Sequence, residues 1–147
     1  MKVIHYLLTK LAAAGFLMFI ISIWFLFFSG LDMFKFVEGI SNWFLWGIIF
    51  GYSILCSLLI DLILFKVPHS SNWLRVFLYV VAGYAFFLFS TGTNVYTIIA
   101  GTVGAICALI FYFSTFIFSR FDFTKYVFSI VIPLALLILM TIDFTEK

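Results

Sequence analysis

The stretch from Leu11 to Leu31, LAAAGFLMFIISIWFLFFSGL, is 21 residues long and contains no charged side chain. A helix rises about 1.5 Å per residue, so about 20 residues cross a hydrocarbon core of about 30 Å. Lys2 and Lys10 precede the stretch, as basic residues precede the apolar part of a signal peptide. The stretch is too long for that, and its small residues, Ala12–Ala14, open it, whereas a cleavage site would close it. We interpret it as an uncleaved membrane anchor.

Four further apolar runs follow, and they carry very few charges. They are Trp43–Phe65, interrupted only by Asp61; Trp73–Phe89, with Arg75 near its start; Val95–Phe118; and Tyr126–Ile142. Strands of a membrane barrel alternate apolar and polar residues, whereas these runs are apolar on all sides. The sequence therefore predicts an all-α, polytopic membrane helical bundle. It is one membrane domain over residues 1–147, with five transmembrane helices at about 11–31, 43–65, 73–89, 95–118 and 126–142.

The amino-acid composition excludes most other classes of protein. Hydrophobic residues make up 66% and charged residues 10% of the chain, against about 45–50% and about 25% in soluble domains. Aromatic residues make up 22%, which excludes a disordered chain. A net charge of +2 is too small for a nucleic-acid-binding face. The predicted partner is the lipid bilayer.

The basic residues predict the orientation of the chain, because Lys and Arg accumulate in cytoplasmic loops. In the five-span arrangement, six of the eight basic residues fall on one side and two on the other. The six are Lys2, Lys10, Lys66, Arg75, Arg120 and Lys125, and the two are Lys35 and Lys147. The N-terminus is therefore expected inside the cell and the C-terminus outside.

The loop Asp32–Asn42 has two interpretations. Met33, Phe36, Val37 and Ile40 recur at helical spacing, with charged residues on another face. This pattern is typical of a short helix that lies in the membrane interface. An irregular loop whose apolar residues dip into the lipid is the alternative.

No catalytic or metal-binding motif stands in the sequence. There is no Gly-x-Ser-x-Gly or His-Glu-x-x-His pattern, and neither His5 nor His69 has an acidic partner nearby in sequence. Cys56 and Cys107 lie singly inside apolar runs, where small apolar residues are ordinary. We expect no enzyme activity, no cofactor and no metal site.

Asp61 is the one acidic residue inside an apolar run, and ionisable residues within spans are costly and often functional. It stands four residues from the end of its predicted helix, about 6 Å from the cytoplasmic edge. At that depth it could be a structural charge that pairs with Lys10, Arg75 or Arg120. An ion- or proton-linked role is the alternative.

Small residues at four-residue spacing predict close helix packing, because they let another backbone approach in the absence of water. Gly47 and Gly51 form a GxxxG motif in the second run. In the fourth run the small residues are Ala100, Gly101, Gly104, Ala105 and Ala108. Packing within the chain and association with another chain both fit these faces. Pro133 is expected to bend the last helix and to free the carbonyl of Ser129.

The stretches Leu78-Tyr79-Val80-Val81-Ala82-Gly83-Tyr84 and Gly101-Thr102-Val103-Gly104-Ala105, with the small size and the richness in Phe and Ile, carry a resemblance. The chain resembles small uncharacterised multi-pass membrane proteins of Bacillus-like bacteria. That resemblance covers about half of the chain and implies a location in the cytoplasmic membrane. It implies no activity.

Two hypotheses on function follow from these features. In the first, the chain is a small, non-enzymatic interaction or accessory protein that binds itself or another membrane protein through its small-residue faces. In the second, it is an oligomeric small transporter or channel that uses Asp61. A translocation path needs a polar lining, and the runs offer little of one, so the first is preferred.

Overall fold

The computed structural model describes residues 2–66, 71–91 and 95–141, and the regular structure in these ranges is helical. The helices are α1 (Lys2–Phe28), α2 (Met33–Ile40), α3 (Trp43–Phe65), α4 (Asn72–Thr91), α5 (Val95–Phe118) and α6 (Asp122–Thr141). The predicted all-α class is confirmed for this part of the chain.

Four of these helices, α1, α3, α5 and α6, are long and apolar enough to cross a membrane. The described apolar part of α4, Asn72–Leu88, is shorter than the other four. The bounds of α3 and α5 coincide with the predicted runs 43–65 and 95–118. Residues 92–94, between α4 and α5, lie outside the described residues.

Helix α1 begins at Lys2 and ends at Phe28, so it starts before the predicted span 11–31 and ends three residues short of it. Residues 2–10 contain two lysines and a histidine and were therefore not part of the predicted apolar run, but they belong to the same helix. At the other end Gly30 and Leu31 both have positive φ, at 67° and 65°. The Leu31 amide donates to the Leu26 carbonyl, the closing bond of a helix C-cap that a left-handed residue permits.

Helix α2 confirms the helical interpretation of the loop 32–42. The Asp32 side chain caps its N-terminus by accepting a hydrogen bond from the Phe34 amide. Phe36 and Ile40 are buried, while Met33 on the same predicted face is exposed. The helix therefore packs its apolar residues partly against the bundle.

Helix α1 lies at the centre of the bundle and contacts α2, α3, α5 and α6. Its small residues Ala12, Ala13 and Ala14 are fully buried. Next to them, a Cβ added at Gly15 would collide with the backbone carbonyl of Phe128 in α6. The small residues that open the first apolar run are thus a packing surface of α1.

A second close helix crossing joins α4 and α5. A Cβ at Gly83 would collide with the carbonyl of Gly104, and a Cβ at Gly104 would lie 2.5 Å from the carbonyl of Gly83. The two glycines therefore let these backbones touch, which is how helices associate where no water drives them together.

Two wide turns of π-helix, Gly47–Tyr52 in α3 and Val127–Val131 in α6, interrupt the regular helices. The second turn ends just before Pro133, whose nitrogen cannot donate to the Ser129 carbonyl. The Ile132 amide then donates to Val127, five residues back. The expected disturbance by Pro133 takes the form of this wide turn.

Candidate functional site

Lys10 and Asp61 form an ion pair inside the bundle, with 2.7 Å between the Lys10 Nζ and the Asp61 Oδ2. Lys10 is buried, whereas the Asp61 side chain is 30% exposed. A buried ammonium is costly unless it is paired and hydrogen-bonded. Asp61 therefore compensates the positive charge of Lys10, which α1 places in the interior of the bundle.

Three hydroxyl groups complete the hydrogen bonding of this pair. Lys10 Nζ donates to Ser57 Oγ at 2.6 Å and lies 3.4 Å from the Tyr79 hydroxyl. Ser57 and Tyr79 share a hydrogen bond of 2.6 Å, and the Tyr6 hydroxyl donates to Asp61. We call Tyr6, Lys10, Ser57, Asp61 and Tyr79 the Lys10 cluster.

Helical spacing explains why these side chains meet. Tyr6 and Lys10 stand four residues apart in α1, and Ser57 and Asp61 stand four apart in α3. Residues at that spacing share one face of a helix. The α1 face and the α3 face lie against each other, and Tyr79 of α4 completes the Lys10 cluster.

Of the three basic residues predicted to pair with Asp61, the structure brings Lys10 to it. Arg120 instead lies over the Phe116 ring, at 4.7 Å from its centroid. Arg75 stands four residues, about one helical turn, before Tyr79 in α4. The Arg75 Nε is buried and has no hydrogen-bond partner among the described residues.

A second polar cluster lies near the start of α1 and joins it to α6. Lys125 Nζ donates to Asp122 Oδ1 at 2.9 Å and lies 2.7 Å from His5 Nε2. The Lys125 side chain is 1% exposed, while those of His5 and Asp122 are 54% and 74% exposed. His5 therefore has an acidic and a basic neighbour through tertiary contact that its sequence neighbourhood does not contain.

An apolar cavity of about 580 Å³ lies between α1, α3, α4 and α5. Its walls include Leu17 and Trp24 of α1, Ile49 of α3, Phe86 of α4 and Phe111 of α5. Tyr79 lines the cavity and also belongs to the Lys10 cluster. The polar cluster therefore borders one part of an apolar space.

The predicted small-residue faces have different outcomes. In α5, Gly104 contacts Gly83, Gly101 lies against the Tyr84 ring, and Ala108 lies close to Gly83. Ala100 and Ala105 are half-buried. In α3 a Cβ at Gly47 or Gly51 would meet nothing within 4 Å, so packing among the residues that the structure describes does not use this GxxxG motif.

Sequence reasoning missed Ser57, Tyr79 and Lys125 as partners of buried charges. For Lys125 the local signal is Asp122, three residues earlier on the same helix; its contact with His5, from the other end of the chain, has no such signal. For Ser57 the signal is its four-residue spacing from Asp61 on an otherwise apolar helix.

The chemistry of the clusters is that of held charges and hydrogen bonds. Among the described residues, no group of three or more His, Cys, Asp and Glu side chains could hold a metal ion. Cys56 and Cys107 are free thiols that line the cavity. Comparisons with known protein families, curated proteins and solved structures found no match.

Proposed function

We propose that this chain is a non-enzymatic interaction or accessory protein of the cytoplasmic membrane. In this proposal the chain spans the membrane five times, with the N-terminus inside and the C-terminus outside. Four helices long and apolar enough to span support the membrane location, and α4 is the fifth span of the proposal.

The polar clusters support the proposed orientation. Contacts through Lys10, Asp61 and Tyr79 bring the start of α1, the end of α3 and the start of α4 to one end of the bundle. The contact between His5 and Lys125 brings the start of α6 to the same end. This is the end at which the basic residues predict the cytoplasm.

One observation carries the proposed function: the two buried lysines of the described residues, Lys10 and Lys125, pair with carboxylates of the same chain, while the cavity of about 580 Å³ is apolar. A path for ions needs a polar or charged lining through the membrane. A bundle that pairs its charges at one end and keeps an apolar middle is suited to binding other apolar molecules or helices.

The open face at Gly47 and Gly51 is the proposed contact for a second copy of this chain. Gly47 is exposed, and open space lies beside both glycines. Two such faces fit each other across a two-fold axis, because small residues on both helices allow the closest approach.

Energy transfer between two labelled populations of the protein in liposomes tests this contact. We expect transfer for the wild type and its loss for Gly47→Ile combined with Gly51→Ile. Ile63→Leu, at an exposed position on a different face of the same helix, is the control and should leave the transfer unchanged. Transfer that persists in the double glycine variant would exclude this face, and no transfer in the wild type would exclude a second copy as the partner.

The alternative, an oligomeric transporter or channel that uses Asp61, is supported by the 30% exposure of the Asp61 side chain. Water can reach a carboxylate of that exposure from the end of the bundle. Asp61→Asn in liposomes loaded with a pH-sensitive dye tests it. A proton flux in the wild type that the variant lacks would support the transporter over the interaction protein.

A further inference from the structure

The apolar cavity is large enough for a ligand. It measures about 580 Å³ and is lined by residues of four helices. Its volume falls within the roughly 300–1,000 Å³ of small-molecule sites. An apolar space of this kind does not hold water well, because its walls offer few hydrogen-bond partners.

The shape of the cavity suits an extended apolar chain. Along α3 it is lined from Leu45 to Cys56, which at about 1.5 Å per residue is roughly 16 Å along the helix. Trp24, Val103 and Ile106 border it with side chains that are more than half exposed. The cavity therefore opens on the side of the bundle, where lipid would lie.

One edge of the cavity carries an excess of positive charge. Tyr79 lines the cavity and belongs to the Lys10 cluster, and Arg75 stands one helical turn before Tyr79 in α4. Lys10 and Arg75 carry two positive charges, and Asp61 carries one negative charge. Asp61 is paired with Lys10. Among the described residues no carboxylate pairs with Arg75, and its buried Nε has no hydrogen-bond partner there.

Arg75 also stands in register with the cavity. Arg75, Tyr79, Ala82 and Phe86 recur every three to four residues and share one face of α4. The last three line the cavity, and Arg75 is one turn nearer the proposed cytoplasmic surface. A molecule with its chain in the cavity would bring a headgroup to Arg75.

We propose that the cavity binds one acyl chain of an anionic phospholipid, whose phosphate is bound by Arg75. The apolar walls take the chain, and the phosphate oxygens accept hydrogen bonds from the guanidinium, which matches phosphate geometry. Anionic lipids are attracted to basic groups at the cytoplasmic surface by about 1 kcal/mol per charge. This lipid site goes beyond the proposed association of two chains and lies away from the open Gly47 and Gly51 face.

Native mass spectrometry of the full chain, released from mild detergent, tests the proposal. The probes are phosphatidylglycerol and phosphatidylcholine with identical acyl chains. We expect one lipid retained per chain and about a fivefold preference for phosphatidylglycerol, the ratio that one favourable charge supports. Arg75→Gln should remove the preference and keep the retention. Arg120→Gln, which changes a basic residue lying over Phe116, is the matched control and should change neither.

Filling the cavity tests where the chain lies. Cys107→Phe places a ring in the cavity and should abolish retention of both lipids, while Ile99→Phe, on the exposed side of α5, should not. Ala82→Phe fills the cavity from α4 and serves if Cys107→Phe fails to fold, as judged by thermal unfolding.

Equal retention of the two lipids by the wild type would overturn the anionic site. Retention that survives both filling variants would overturn the cavity as its place. The lipid proposal would also be overturned if the spectra showed lipid-free dimers that the filling variants disrupt. In that case a second copy of the chain would close the cavity.

Discussion

The Lys10 ammonium and the Asp61 carboxylate, contributed by two different helices, lie 2.7 Å apart and share their remaining hydrogen bonds with Tyr6, Ser57 and Tyr79. Each charged group depends on the other for its electrostatic stabilisation. Removal of one partner leaves the other in an environment that cannot solvate it fully, and the most informative variants are therefore paired ones.

Breaking the pair should cost more than removing it. Lys10→Met or Asp61→Leu alone should each lower the free energy of unfolding by about 2 kcal/mol, less than the roughly 3–5 kcal/mol of fully buried pairs because Asp61 is partly exposed. The double variant should lose clearly less than the sum of the two. Denaturation in detergent measures the coupling.

Lys35→Met is the control for that cycle, because Lys35 lies 3.7 Å from Asp32 in an exposed pair. Its loss should stay within about 1 kcal/mol. Additive effects of Lys10→Met and Asp61→Leu would show that the two charges do not stabilise each other.

The crossing of α4 and α5 at Gly83 and Gly104 should not tolerate a large side chain. Gly104→Ile places a branched side chain against the Gly83 carbonyl and the Phe87 ring. We expect a loss of about 1–3 kcal/mol, as overpacking causes. Gly47→Ile is the matched control, since open space lies beside Gly47. Unfolding at low protein concentration compares the two, and equal stability would contradict the crossing.

Gly15 should not tolerate even a methyl group. Gly15→Ala directs its Cβ at the Phe128 backbone carbonyl, and a backbone cannot move aside as a flexible side chain can. A loss of about 1–3 kcal/mol is expected. Gly51→Ala meets nothing within 4 Å and should be neutral or stabilising, because Ala favours helix by about 0.5–1 kcal/mol over Gly. The opposite order of stability would place α1 and α6 further apart.

The proposed five-span topology predicts the side of each loop. Reporter domains inserted after Asn94 or fused at Lys147 should appear outside the cytoplasm, and one inserted after Lys66 or Asp122 should appear inside. The reason is the excess of Lys and Arg in the odd-numbered segments. A cytoplasmic C-terminus would contradict five spans and indicate four or six.

The length of the apolar runs predicted where most helices lie, but not which side chains contact each other between helices. The runs at Trp43–Phe65 and Val95–Phe118 end where charge or a turn residue stops them, so their bounds could be predicted. The start of α1 could not, because hydropathy does not extend through Lys2 to Lys10, although a helix does. The sequence indicated that Asp61 needs a basic partner and offered three candidates, of which the structure shows Lys10.

The sequence by itself determined that the chain is helical and apolar enough for a membrane, because the length of an uncharged run and the absence of alternation are local properties. It also determined which small residues could allow close packing. Only the tertiary structure decided which of them do: Gly83 and Gly104 contact neighbouring backbones, and Gly47 and Gly51 meet no described neighbour. Gly15 contacts a neighbouring backbone as well, although no small-residue spacing indicated it. It likewise brought Lys10 to Asp61 and His5 to Lys125. The physical reason is that apolar helices in lipid look alike on every side, so the face that each one buries depends on the shapes of its neighbours.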